Sequence, residues 1–228
     1  VWLCVFMERK ITALKAQKRN PHRVNVYLDG EFAFGMARVV AAWLQVGQTL
    51  NNGKIEELLK QESRETAYQR SLHFISTRPR TEQEVRQKLT GLGFSDDIIK
   101  PVITALKSKG YIDDAAFARA WVENRLAFHP RSYQLMRMEL KRKGISEDII
   151  ARTLEETPVN ETKLALDLAK RYAPRLKGID SHKFKTRLSA YLMRRGFPYA
   201  ISMPVTEQMY REYYQNNLRI REDRDNGS

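Results

Sequence analysis

Cysteine is almost absent from this chain: one thiol, Cys4, in 228 residues. A single cysteine closes no intrachain disulfide, so the fold must be held by packing, and a reducing, cytoplasmic setting is the expectation. The four histidines, His22, His73, His129 and His182, are scattered, with no cysteine partners and no i, i+4 pair, a pattern that argues against zinc. A phosphate-cradling glycine loop of the Walker type is missing as well, and no cofactor is expected. No run approaches the roughly 18 consecutive apolar residues that suggest a membrane span. The apolar opening VWLCVFM is too short for a secretory leader and lacks its basic flank and cleavage site. Residues 1–9 are expected to form a mobile tail, of which residues 1–6 either come from an upstream start or are simply part of that tail. Acid is the remaining scarcity: 27 Asp and Glu stand against 40 Lys and Arg, a formal charge of +13. Solubility needs only about 2–8 charges on a small domain, so the excess points to a polyanionic partner.

What is present divides by pattern. Val24, Val26 and Leu28 alternate before Asp29-Gly30, and Phe32 and Phe34 alternate after it, which predicts a β-hairpin closed by a tight turn with positive φ. The preceding ITALKAQKR supplies a third strand, since an isolated hairpin is marginal in water. Short helices are expected at about 37–44 and 54–63. Beyond residue 64 the strand signal stops and helical periodicity runs almost to the end.

In that region the chain repeats itself. GFSDDII at Gly93–Ile99 returns as GISEDII at Gly144–Ile150 and more faintly as GFPYAIS at Gly196–Ser202, a period of about 51 residues. Leu89, Leu140 and Leu192 fall into register, as do Val85, Met136 and Leu188. In the first unit a helix over 65–76 stops near Pro79, and Thr81 with Glu84 forms a capping-box pattern that starts a second helix. Gly93 closes that helix in the left-handed conformation. Ser95, Asp96 and Asp97 then start a third, whose Ile98, Ile99, Val102, Ile103 and Leu106 form an apolar stripe, with a local kink expected at Pro101. The recurring Gly-apolar-Ser-acid-acid motif is thus punctuation between helices; its adjacent carboxylates do not converge as a metal or acid–base pair would. Units of about 50 residues bury too little to stand alone, so they are expected to stack.

The fold predicted is mainly α: an elongated tandem array of three-helix, helix-turn-helix-like repeats behind a small N-terminal module containing the β-hairpin. Its parts are the tail at 1–9, the N-terminal module at 10–63, repeats at 64–112, 113–158 and 159–214, and a disordered tail at 215–228.

The stretch RPRTEQEVRQKLTGLGFSDDIIKPVITALKSKGYIDDAAFARAWVENR, with its GYIDD-x-x-FA block at Gly110–Ala118, resembles the RecX family of bacterial recombination regulators, and LKRKGISEDII resembles that family's second repeat. The resemblance extends from about Lys10 to Tyr214 and weakens in the third repeat, where GFPYAIS lacks the Ser-acid cap. It implies a protein that binds the RecA recombinase, chiefly its filament on single-stranded DNA, and limits filament growth, ATP hydrolysis and strand exchange. It further implies tandem three-helix units lying along the filament groove, whose protein surface and DNA phosphates are acidic. No membrane association is expected, and the chain is taken as a monomer.

Basic residues cluster at matching places in the repeats. The first offers Arg78, Arg80, Arg86 and Lys88; the second Arg131, Arg137, Lys141, Arg142 and Lys143; the third Lys183, Lys185, Arg187, Arg194 and Arg195. Matching helices of stacked repeats share a side, so these residues are the candidate RecA-filament and DNA face; a solvated surface with no partner is the alternative. Most aromatics sit at packing positions; Tyr133, beside Arg131 before a basic helix, is the exception with a possible stacking role. An enzyme is the reading set aside. Glu139-Leu140-Lys141 has the acid-x-lysine spacing of some nucleases, but in a helical run and without a second carboxylate. The remaining alternative is a protein acting directly on DNA through helix-turn-helix-like units, for which weak direct DNA binding is already allowed.

Overall fold

The structure is a computed structural model and describes residues 8–215. Cys4 and nearly all of both expected tails lie outside the described residues. The Asp29-Gly30 turn behaves as its chemistry requires, with φ of 52° and 90°. It joins β2 (Asn20–Leu28) to β3 (Glu31–Ala37), while β1 (Arg9–Gln17) and the short β4 (Thr49–Leu50) complete an antiparallel sheet in the order β3-β2-β1-β4. Arg9 clamps the turn by an ion pair to Asp29 at 2.9 Å. Ile11, Val26, Leu28 and Met36 line the buried face with Leu50 and Leu58. Phe32 does not share that burial: it is 59% exposed, its ring edge-on to Tyr27 where a bulge interrupts the β2–β3 register. The first expected short helix is a 3-10 turn at Val40–Trp43.

Where two helices were expected, at 54–63 and 65–76, there is one, α1 (Asn52–Ser76), which runs unbroken past residues 63 and 64. The polar segment between them lacks a helical apolar stripe because its anchor is a carboxylate. Glu62 is buried, accepts the Ala37 amide at 2.5 Å and pairs with Arg23 at 2.8 Å, fastening the helix to the sheet. Thr66 adds a hydroxyl at 3.1 Å. A buried charge with these partners is a tertiary contact, invisible to periodicity.

The first three-helix unit is the second half of α1, α2 (Glu82–Gly91) and α3 (Asp96–Ser108). Thr81 and Glu84 form the reciprocal capping box, and α3 continues through Pro101. The second unit is α4 (Asp114–Phe128), α5 (Tyr133–Arg142) and α6 (Glu147–Glu156); the third is α7 (Glu161–Tyr172), α8 (Ser181–Arg194) and α9 (Tyr199–Met209). Gly93, Gly144 and Gly196 all take positive φ, at 84°, 80° and 89°, each closing a middle helix. Every unit has its own core: Val85, Leu89 and Ile99 in the first, Met136, Leu140 and Ile150 in the second, Phe184, Leu188 and Leu192 in the third. Residues up to Asp113 form one compact unit and residues from Asp114 a second, so the last two repeats fold together.

Ser95 departs from its expected role. Its hydroxyl bonds to the Asp97 carboxylate instead of capping a backbone amide. Lys60 of α1 reaches the same carboxylate at 2.6 Å. These two bonds, Lys60 first, lower the Asp97 carboxyl from 3.8 to about 2. A depressed folded pKa makes the pairing fully present above pH 3.8 and lost as pH falls through about 2. Replacing Lys60 with alanine is expected to raise the Asp97 titration midpoint toward 3.8, read by NMR of the carboxyl carbon; a midpoint that stays near 2 would assign the shift to Ser95.

Candidate functional site

The helix that follows each break carries the predicted cations, and the structure sorts them by what they already hold. In the first repeat, Arg78 pairs with Glu84 at 3.1 Å and Arg86 with Glu82 at 3.2 Å. Arg80 lies over Phe74, 3.9 Å from the ring centroid, and bonds the Thr77 hydroxyl. Lys88 is exposed, with its ammonium 6.0 Å from the same ring. These residues cover the end of α1 and brace α2, so most of their charge is spent within the repeat.

In the second repeat the break before α5 is pinned by Ser132, buried, whose hydroxyl caps the Leu135 amide at 3.2 Å. Arg131 turns inward to Glu139 at 3.1 Å, where Arg125 also pairs at 2.7 Å and the Trp121 indole donates at 2.9 Å. Lys143 sits over Trp121, 5.6 Å from the centroid. The remaining cations face outward. Arg137 is half exposed and holds Glu147 at 3.0 Å; Lys141 and Arg142 are exposed, and among the described residues neither has a carboxylate within 4 Å. Arg137 and Lys141 are one turn apart and so share a face.

The third repeat repeats this division. Lys185 pairs with Glu207 at 2.8 Å and lies over the Tyr210 ring; Arg195 bonds the Pro130 carbonyl at 3.4 Å and covers Tyr191. Lys183 pairs with Asp180 at the start of α8 at 3.1 Å. Arg187 and Arg194, seven residues apart on the outer face of α8, are exposed and, among the described residues, without a carboxylate within 4 Å. Of the predicted set, Lys88 in the first compact unit and Lys141, Arg142, Arg187 and Arg194 in the second therefore remain available to an external anion. Such exposed cations supply attraction and steering without preset geometry.

The comparisons with known proteins follow the same layout. Residues 9–51 match the regulatory protein RecX N-terminal domain, and 67–106, 113–154 and 160–204 match the first, second and third RecX three-helix domains. A regulatory protein RecX of Clostridium botulinum is 30% identical over 204 residues, covering 87% of this chain and 95% of the relative. The chain belongs to the RecX family. The regulatory protein RecX of Lactobacillus delbrueckii subsp. bulgaricus is 32% identical over 208 residues, 89% of this chain and 75% of that protein. A crystal structure of regulatory protein RecX superposes with a TM-score of 0.71 at 27% identity, covering 90% of this chain and all of that one. The third repeat, faint in sequence, is a RecX domain like the others.

Two sequence readings take a different form in this RecX-family chain. Glu139, the acid of the acid-x-lysine triplet, is occupied by two arginines and an indole, while Leu140 is fully buried. Tyr133 is partly buried, donates its hydroxyl to the Thr157 carbonyl and its backbone N–H to the Glu161 carboxylate, which commits it to packing between α5 and the α6–α7 connection. Among the described residues no three acids, histidines or cysteines group as metal ligands, and no helix is long and apolar enough to cross a membrane. A further cationic cluster, Lys170, Arg171, Arg175 and Lys177, is exposed around the end of α7. Its signal, KRYAPRLK, is plain in the sequence but falls outside the helix used to align the repeats.

Proposed function

We propose that this chain is a cytoplasmic regulator that binds, as a monomer, the RecA recombinase filament on single-stranded DNA and restrains its assembly, ATP hydrolysis and strand exchange. The observation that carries this reading is the succession of all four RecX domains, in order, along the chain. The exposed cations of α5 and α8 support it, because a nucleoprotein filament presents acidic protein surface and phosphate, and the second compact unit meets it with unpaired positive charge. The chain acts in this reading by binding, with no chemistry of its own.

The test adds the chain at substoichiometric ratio to RecA on single-stranded DNA and follows ATP hydrolysis and strand exchange. Inhibition is expected; rates unchanged at every ratio would remove the proposal. Replacing Arg137, Lys141 and Arg142 with alanine is expected to raise the half-inhibitory concentration about tenfold at low salt and less at high salt, since peripheral charges act mainly on the association rate. A protein working directly on DNA would differ by binding DNA tightly with no recombinase present.

A further inference from the structure

The sequence drew attention to the three-helix units, yet a separate basic groove lies in the N-terminal module. It is an open cleft of about 1000 Å³ between the β2–β3 end of the sheet and the outer face of α1. Arg38 and His22 line one wall, fixed side by side because the Arg38 amide donates to the His22 carbonyl at 2.7 Å. Thr66, Gln69, Arg70 and His73 line the other; spaced at i, i+3, i+4 and i+7, they occupy one face of α1. We propose that this groove binds the phosphodiester backbone of single-stranded nucleic acid.

The charge distribution argues for an anion. Arg23, also in the groove, is neutralised by Glu62 and anchored to the Gly35 carbonyl, so it belongs to the fold. Arg38 and Arg70 are exposed, and among the described residues neither has a carboxylate within 4 Å. The one acid lining the cleft, Glu65, accepts from the Gln69 side-chain amide at 2.9 Å and keeps its charge, so the two unpaired guanidiniums outnumber it two to one. Lys18 and Arg19, both exposed, occupy the β1–β2 turn next to Asn20 at the rim, adding positive charge at that end. Two unpaired guanidiniums facing each other across a cleft create a field that an anion relieves.

Size and shape narrow the anion. A cleft at the upper end of the range for pockets that bury a drug-sized ligand is larger than one phosphate needs, and its cations come from three elements, which suits a chain of phosphates. Arginine and histidine are planar and stack on bases as well as binding phosphate, whereas an acidic peptide would use only their charge. Trp43, on the 3-10 turn four residues past the groove-lining Val39, is 79% exposed, an aromatic surface of the kind on which unpaired bases stack. A duplex is read by a projecting helix or ribbon, and α1 here forms a recessed wall.

The inference does not rest on the recombinase reading and is tested with the full chain alone. Fluorescence anisotropy with a labelled oligothymidylate, across a salt series, is the primary measurement. The double variant Arg38→Ala, Arg70→Ala is expected to bind on the order of tenfold more weakly at low salt, with the slope of log K against log salt reduced by about 1.4, near 0.7 per lost phosphate contact. Unlabelled polyglutamate of equal charge is expected to compete poorly. Ultraviolet crosslinking of the unmodified chain to the same oligonucleotide, followed by peptide mapping, checks the site independently of any variant, with crosslinks expected within residues 19–46 and 66–73. An unchanged affinity and slope in the double variant, equal competition by polyglutamate or by duplex DNA, or crosslinks confined to α5 and α8 would each overturn the proposal.

Discussion

Replacing Gly196 with alanine is expected to destabilise the second compact unit by about 3 kcal/mol, whereas the same change at the equivalent Gly93 should cost about 1 kcal/mol. Both glycines close a middle helix with positive φ, at 89° and 84°, so both substitutions incur the left-handed penalty of about 1–2 kcal/mol. Only Gly196 faces a wall. A Cβ there would stand 2.5 Å from Leu135 Cβ and 2.5 Å from Ser132 Oγ, while at Gly93 nothing lies within 4 Å. The wall cannot yield cheaply, because Ser132 caps α5 and its amide is held by the Arg195 carbonyl at 3.0 Å. Overpacking of a fixed site adds about 1–3 kcal/mol. With a urea slope of about 2 kcal/mol per M, the Gly196 variant should lose about 1.5 M in midpoint and the Gly93 variant about 0.5 M. Equal losses would mean that the contact between the second and third repeats at this turn has no energetic role.

That contact also shows where reading the sequence stops. The three glycines, the capping box at Thr81 and Glu84 and the apolar register of Leu89, Leu140 and Leu192 were legible because each is local: a dihedral requirement, a three-residue reach, a helical period. Gly196 was legible as a helix terminator, but its role as a close-approach site was not, since the side chains it admits come from 61 and 64 positions earlier in the chain. The continuity of α1 failed for the same reason, its polar middle being justified only by Arg23 and Ala37 of the sheet. At Ser95 the local rule met a competitor, the Asp97 carboxylate, which takes the hydroxyl.

The candidate site follows this logic. The sequence located the cations, and their family resemblance suggested what they face, but which ones are free depends on partners that periodicity does not reveal. Arg131 and Arg142 look alike in RSYQLMRMELKRKG, yet the first is drawn in to Glu139 and the second is exposed. The N-terminal groove was illegible altogether, its walls being assembled from His22, Arg38, Arg70 and His73, which no short motif unites.

Exchanging Glu139 for glutamine is expected to destabilise the second repeat by about 2–3 kcal/mol, although it removes one charge and almost no volume. Glu139 accepts from Arg125 at 2.7 Å and from the Trp121 indole at 2.9 Å and forms an ion pair with Arg131 at 3.1 Å, with side-chain exposures of 15%, 18% and 31% for Glu139, Arg125 and Arg131. Removing the carboxylate leaves two adjacent, poorly hydrated guanidiniums to repel one another across the α4–α5 contact, the situation in which breaking a pair costs more than the pair contributed. A fully buried pair would cost about 3–5 kcal/mol, and the partial solvent access of Arg131 places this one lower. Urea denaturation followed by tryptophan fluorescence, in a background where Trp2 and Trp43 are replaced by phenylalanine so that Trp121 alone reports, reads both the loss and its location. A cycle with Arg125→Ala separates the causes: in the glutamine background that second change should cost little or even restore stability, since it removes the repulsion, whereas in the native background it should cost about 2 kcal/mol. Additive losses in the cycle would show that Glu139 acts by packing alone. They would also return Arg125 and Arg131 to the pool of cations available to a partner.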